Sequence, residues 1–303
     1  MEAVMPSKTP KTGKTFVRHV APFAPVALAM MMSTVPPKQP HTAGAPTTPS
    51  AVAPAGAFTV PGGSTEFHPV CSSLPFHAVL NAAIDNHCSL KGGSTDPAKQ
   101  AESQSKNNFC SETPTAEALS YTQLLDMQKK STEAKLQKNM PDRSQVEGMG
   151  EGKYVSYVAF VKDAHYSDVS AGEAVNCNIP GNDSNDIHIV LVPDTKGGDP
   201  KNADECTSTT AEMSPHFRPA GWTPDNIMKA SAGHPIRVSG HLFYDGSHSP
   251  CTATSRPNPK RASLWEVHPV YSFEVCSKST VAECQSAPAS DWTPLEKVFA
   301  SEQ

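Results

Sequence analysis

Two short stretches of the chain place a carboxylate and an imidazole two residues apart. NDIHIVLVPD, residues 185–194, carries Asp186 and His188, and SLWEVHPVYSFEVC, residues 263–276, carries Glu266 and His268. In a β-strand, residues i and i+2 share a face and sit roughly 6.5 to 7 Å apart, so each pair points one way. If the two strands are neighbours, two carboxylates and two imidazoles converge. Such nitrogen and oxygen donors suit a divalent metal, zinc or manganese, with a remaining carboxylate orienting an imidazole or a water. Metal-assisted hydrolysis of a phosphodiester or another ester is the enzymatic use of such a set. HPIRVSGHLFYD, residues 234–245, adds His241 and Asp245 from a third strand. With Arg237 and Trp222 these form a candidate ligand-binding set beside the metal set.

The same spacing has a plainer meaning. Ile187, Ile189 and Leu191 alternate with Asp186 and His188, and Trp265 and Val267 alternate with Glu266 and His268. Apolar side chains turned to a core leave the acid–imidazole pairs on an outer, solvated face, where cross-strand pairs are mildly stabilising. Against that stands the set as a whole, since three strands each bring a charged or imidazole group near one end.

The elements that must position these residues form a β-rich second half. KYVSYVAFVKDAHYS (153–167), NDIHIVLVPD, HPIRVSGHLFYD and SLWEVHPVYSFEVC read as strands. Thr223 followed by Pro224, Asp225 and Asn226 reads as a capped short helix between the middle strands. The expected class is mainly β: a small OB-like antiparallel barrel over 153–284, with a partly open sandwich as the alternative. Upstream, LPFHAVLNAAIDNHC (74–88) has a helical apolar stripe. TPTAEALSYTQLLDMQKKSTEAKLQKN (113–139) carries the longest helix signal, with Thr113 as cap and Pro114 in the first turn. A disulfide-braced helical module over 66–140 therefore precedes the barrel, and residues 285–303 form a C-terminal tail.

D-I-H-I at 186–189, P-I-R-V-S-G-H-L-F-Y-D at 235–245 and L-W-E-V-H-P-V at 264–270, in this order, resemble a group of bacterial proteins without assigned activity. Those share a D-x-H strand, a V-x-V-x-G strand ending near Asp or His, and a final E-x-H-P strand. The resemblance covers residues 153–276, under half of the chain. It implies an OB-like barrel in which these strands belong together, and it carries no activity.

Composition bounds the rest. The chain has 303 residues and a formal charge of -5, which offers no global attraction to nucleic acid. Lys260 and Arg261, with Arg218 and Arg237, make only a minimal basic spot without interleaved aromatics. No serine nucleophile elbow, H-E-x-x-H or dinucleotide-binding glycine pattern occurs. Lys8, Lys11, Lys14 and Arg18 precede the apolar run VAPFAPVALAMMM, so 1–33 reads as a signal peptide or membrane-anchor-like leader. Residues 34–65, rich in Pro, Ala and Thr, read as a disordered tether. The eight cysteines, Cys71, Cys88, Cys110, Cys177, Cys206, Cys251, Cys276 and Cys284, include no C-x-x-C and favour disulfides in an oxidising compartment. Three of them fall in the upstream module, which calls for a bridge to the barrel or a free thiol.

These readings converge on an exported protein, secreted, periplasmic or membrane-tethered, with membrane contact only through the leader. The expected role is binding or interaction with an extracellular or envelope protein or a carbohydrate, in a chain able to self-associate. The alternatives are a metal-dependent hydrolase, conceivably a nuclease, using Asp186, His188, Glu266 and His268, and a structural assembly protein.

Overall fold

The computed structural model describes residues 82–110, 115–195 and 197–299. The expected leader and tether, and Cys71, lie outside the described residues. In chain order the helices are α1 (Ala82–Asp85), α2 (Pro97–Lys106), α3 (Tyr121–Glu133), α4 (Ser144–Met149), α5 (Pro224–Ala230), α6 (Val281–Gln285) and α7 (Leu295–Val298). The strands are β1 (Glu117–Leu119), β2 (Tyr154–Tyr166), β3 (Ile187–Val192), β4 (Thr209–Met213), β5 (Ile236–Tyr244), β6 (Trp265–Cys276) and β7 (Trp292–Pro294).

Five strands close a barrel in the order β2-β3-β4-β6-β5, with β5 returning to pair β2. Every pairing in that ring is antiparallel except β4 with β6, which run parallel through the single register pair Ala211 and Val267. β1 adds in parallel to β2, and β7 pairs antiparallel to the end of β6, so paired structure runs past residue 284. The alternation read from the sequence decides what fills the interior: Ile187, Ile189, Leu191, Ala211, Met213, Trp265 and Val267 are all buried in one cluster.

Closure demands a close backbone approach where β5 meets β6. A Cβ at Gly240 would lie 2.1 Å from the carbonyl oxygen of Pro269, so only glycine fits there. α3 packs beside the start of β6: the Trp265 indole donates to Ser131 Oγ (2.8 Å), and the Leu264 amide donates to Gln128 Oε1 (2.7 Å). Leu119, Leu124, Met140 and Val146 join the same core as the barrel strands, so the stretch from 119 to 146 is packed against the barrel.

The long helix expected from Thr113 begins later. Residues 117–119 are strand β1, and Ser120 is the N-cap, in a capping box with Gln123. Pairing with β2 outweighs the helix propensity of Glu-Ala-Leu. α2 falls between the two upstream segments that carry a helical signal in the sequence. Its signal was present in Asp96, which caps the helix by accepting from the Ala98 amide (2.8 Å), and in Pro97. Thr223 does cap α5.

Disulfides join Cys88 to Cys177, Cys206 to Cys251 and Cys276 to Cys284, and Cys110 is also disulfide-bonded. The first of these is the expected bridge from the upstream segment to the barrel. Such bonds suit an oxidising compartment. Among the described residues, no helix is long and apolar enough to cross a membrane.

Candidate metal centre

Strand register assembles the site. His188 on β3 lies opposite Glu212 on β4, and the Ala211–Val267 pair sets Glu212 beside Glu266 and His268 on β6. Asp186 immediately precedes β3. All five side chains leave the barrel on the face opposite its apolar interior. The sequence pairs Asp186 with His188 and Glu266 with His268; the barrel interleaves them and adds Glu212 between.

This outer face is not solvated as the plainer reading expected. Asp186 and His268 are 0% exposed, and Glu212 and Glu266 are 1% exposed. The reason is a cover drawn from chain segments remote in sequence. α2 ends over the face with Lys106, whose ammonium is 5.3 Å from the centre of the Phe243 ring. The loop after β2 brings Glu173 and Asn176, and Asn185 steadies it by donating to the carbonyls of Ile179 (3.1 Å) and Gly181 (2.7 Å). Cys88–Cys177 ties the two covering segments together. At the turn between them Gly92 has φ +66°, and a Cβ there would lie 2.4 Å from the Ala174 carbonyl oxygen. The buried pair Asp85–His216 (2.7 Å) fixes α1 to the turn after β4.

Within the covered space the donors face one another without saturating one another. His268 Nδ1 is 2.8 Å from Glu212 Oε2 and 3.5 Å from Glu266 Oε1, and its Nε2 is 3.6 Å from Asp186 Oδ2. His188 Nε2 is 3.3 Å from Glu212 Oε1 and 3.5 Å from Glu173 Oε1. The His268–Glu212 contact is a close ion pair, the other contacts are longer than a well-formed hydrogen bond, and Asp186 Oδ2 and Glu266 Oε1 have no aligned hydrogen-bond partner. The other Asp186 oxygen accepts from Asn176 Nδ2 (3.0 Å), which holds that carboxylate in place. One donor atom each from Asp186, Glu212 and His268 lie within 4.8 Å of one another.

The electrostatics match a site short of positive charge. The carboxylates of Asp186, Glu173, Glu212, Glu266 and Asp245 outnumber the permanent cations beside them, Lys106, Arg261 and, near Asp186, Arg218. Burial, reinforced by Glu173 and Glu212, pushes the Asp186 carboxyl up to about 6. Burial opposes charge on His268, yet Glu212, Glu266 and Asp186 overcome it and raise the imidazole to about 10. His188 is likewise opposed by burial but raised to about 9 by Glu212 and Glu173. Burial raises Glu266, with Glu212 adding to it. Glu212 resists its own burial because His188, Lys106 and His268 surround it, and they hold it well below the usual carboxylate range.

The residues expected to bind a ligand are dispersed. Asp245 pairs with Arg261 (2.9 Å) at the border of the cluster, and Arg261 reaches on to Glu266 (3.2 Å). His241 packs edge-on against Tyr271, 5.1 Å between ring centres, away from the acids. Arg237 pairs with Glu274 (2.8 Å) and lies 4.2 Å from the centre of the Trp292 ring. Trp222 is buried in the barrel core and donates to Glu296 (2.9 Å). The basic spot also comes apart, since Arg218 donates to the carbonyls of Asn185 and Asn182 and Lys260 pairs with Glu205. Asp245, Ser247 and His248 form a contact set resembling a hydrolytic triad. However, serine and aspartate both meet the same nitrogen, His248 Nδ1, so no proton relay runs through the ring.

Glu212, Glu173, Asn176, Lys106 and Arg261 were not expected at the site. Glu212 had a readable signal: in A-E-M a charge stands between two apolar residues, as in I-H-I and W-E-V. The other four come from loops and a helix end, where no period links them to the strands.

Compared with protein-family models, curated proteins and solved structures, the chain matches none. What defines it is the architecture: a closed, disulfide-bonded five-stranded barrel with a covered acid–imidazole face.

Proposed function

We propose that the chain is an exported, OB-like barrel protein built to hold a divalent cation, zinc or manganese, through Asp186, Glu212 and His268. The OB-like assignment is supported by the order of the five barrel strands, first-second-third-fifth-fourth, and by α5 between the third and fourth. One observation carries the cation: buried donor atoms of Asp186, Glu212 and His268 lie within 4.8 Å of one another, and Asp186 Oδ2 has no hydrogen-bond partner. Buried polar atoms are normally paired, and a cluster left unpaired around a common point calls for a missing partner. Two carboxylates and one imidazole, with no thiol, favour zinc or manganese. The cation belongs to the metal-dependent alternative of the sequence reading and is distinct from the expected protein or carbohydrate partner.

The test is metal analysis of protein purified oxidised and without chelator, then offered zinc or manganese. At least one tightly held equivalent is expected, and it should be lost in H268A/D186N. A wild-type protein that retains neither metal sinks the proposal.

The hydrolase reading has its own support in the His188 and Glu173 side chains. These are 22% and 20% exposed and bring the edge of the cluster to the surface. A cation there can act as a Lewis acid toward an ester or phosphodiester from solvent. Metal-dependent cleavage of a generic phosphodiester, abolished by H188A, tests that reading.

A further inference from the structure

We propose that Glu212 is shared between two divalent cations, and that His188 with Glu173 forms a second, solvent-side position beside the buried one. This rests on the cation reading of Asp186, Glu212 and His268. The division of Glu212 points to it: Oε1 faces His188 Nε2 at 3.3 Å, and Oε2 faces His268 Nδ1 at 2.8 Å. Each imidazole then meets one further carboxylate, Glu173 at 3.5 Å from His188 and Asp186 at 3.6 Å from His268. Each side has one imidazole, one terminal carboxylate and the shared carboxylate, but His188 meets both carboxylates through Nε2, whereas His268 meets Glu212 through Nδ1 and Asp186 through Nε2.

The outer half repeats the unpaired chemistry of the inner half. His188 Nε2 contacts Glu212 Oε1 and Glu173 Oε1 without an aligned hydrogen bond, Glu173 Oε2 is left without a partner, and the shared Glu212 side chain is only 2% exposed. Separations of 3.3 and 3.5 Å from His188 Nε2 to the two carboxylates are close to the spacing of about 3.4 Å between two ligands each about 2.1 Å from a tetrahedral ion, while among the described residues only Asp186, Glu212 and His268 have three donor atoms all within 4.8 Å, so the outer position is the more open of the two. The D-x-H spacing sends its two members to different positions, Asp186 to the inner and His188 to the outer. His165 pairs with His188 across the β2–β3 ladder, with ring centres 5.7 Å apart. It is half exposed, which makes it a further donor from the solvent side. Carboxylate-sharing ion pairs are the arrangement that two-metal hydrolytic sites use, so the outer ion would be the one in reach of a soluble ester.

The experiment is a zinc and a manganese titration of the full oxidised chain, read by calorimetry and by metal content, on wild type, H188A and E173Q. Wild type should take two equivalents and H188A one. E173Q, a change at a partly exposed position, should weaken the second equivalent about tenfold or more while leaving the first. With manganese, wild type should give the broadened resonance of coupled ions and H188A the hyperfine-resolved signal of an isolated one. One equivalent in both wild type and H188A overturns the second position and leaves the single-cation reading standing. One equivalent in wild type and none in H188A overturns it too, by making His188 a ligand of a single ion. Two equivalents in H188A overturn the assignment to His188. No metal in any variant overturns both readings together.

Discussion

Glu212 lies directly opposite His188 in the β3–β4 ladder, its Oε1 3.3 Å from the imidazole Nε2, while its other oxygen turns to the neighbouring strand. A single carboxylate therefore connects the partly exposed and the fully buried parts of the face. Glu212→Gln keeps the shape and removes the charge. It should lower cation affinity by more than the roughly 10–100-fold typical of an outer partner of a metal ligand. Metal content after dialysis reads this, and retention at the wild-type level would remove Glu212 from the centre.

His241 gives the chain a pH dependence separate from that face. Burial lowers its imidazole from 6.5 to about 4, despite the Asn108 carbonyl favouring its charged form. As pH falls through about 6.5 the unfolded chain takes up this proton while the folded chain does not. Stability is therefore lost progressively between about 6.5 and 4, by up to about 3 kcal/mol. His241→Gln should flatten this segment of the curve when urea unfolding is followed at pH 7 and 4.5. An unchanged slope would assign the acid loss to other groups.

Gly240→Ala should destabilise the barrel by about 3 kcal/mol, because its Cβ meets a backbone carbonyl, which cannot rotate away as a side chain can. Denaturant unfolding under non-reducing conditions measures it. A midpoint within experimental error of wild type would show that β5 and β6 separate easily at this point.

Cys88→Ala with Cys177→Ala removes a bridge spanning 89 residues, and should cost about 2–4 kcal/mol. The loss should be local first. Amide exchange in residues 97–106 and 173–178 should speed up, while β3 and β6 stay protected. Uniform acceleration across the barrel would mean that the cover and the barrel unfold as one unit.

Much of the barrel was legible because its strands alternate. Ile187-His188-Ile189 and Trp265-Glu266-Val267 announce both the strand and the side that turns inward. β4 escaped because Thr-Thr-Ala-Glu-Met lacks bulk, and its burial comes from neighbours on both sides, not from its own hydrophobicity. β1 escaped because Glu117, Ala118 and Leu119 favour helix locally and are overruled by pairing with Val155, Ser156 and Tyr157. For the site, the pairs Asp186/His188 and Glu266/His268 were visible, but their burial was not. Alternation says which residues share a face. It cannot say that a helix ending at Lys106 and a loop carrying Glu173 will come to rest upon it.

The parallel contact between β4 and β6 has a mechanical side. Its backbone pairing is the shortest in the ring, the single register pair Ala211–Val267, while its neighbours are antiparallel ladders of several pairs. Glu212 and His268 stand across that joint, one on each bank. Whatever draws them together also clasps the barrel shut, and whatever drives them apart loosens it where it is weakest. A cation held between them would therefore also brace the ring at that joint, and slower amide exchange there on adding metal would report it.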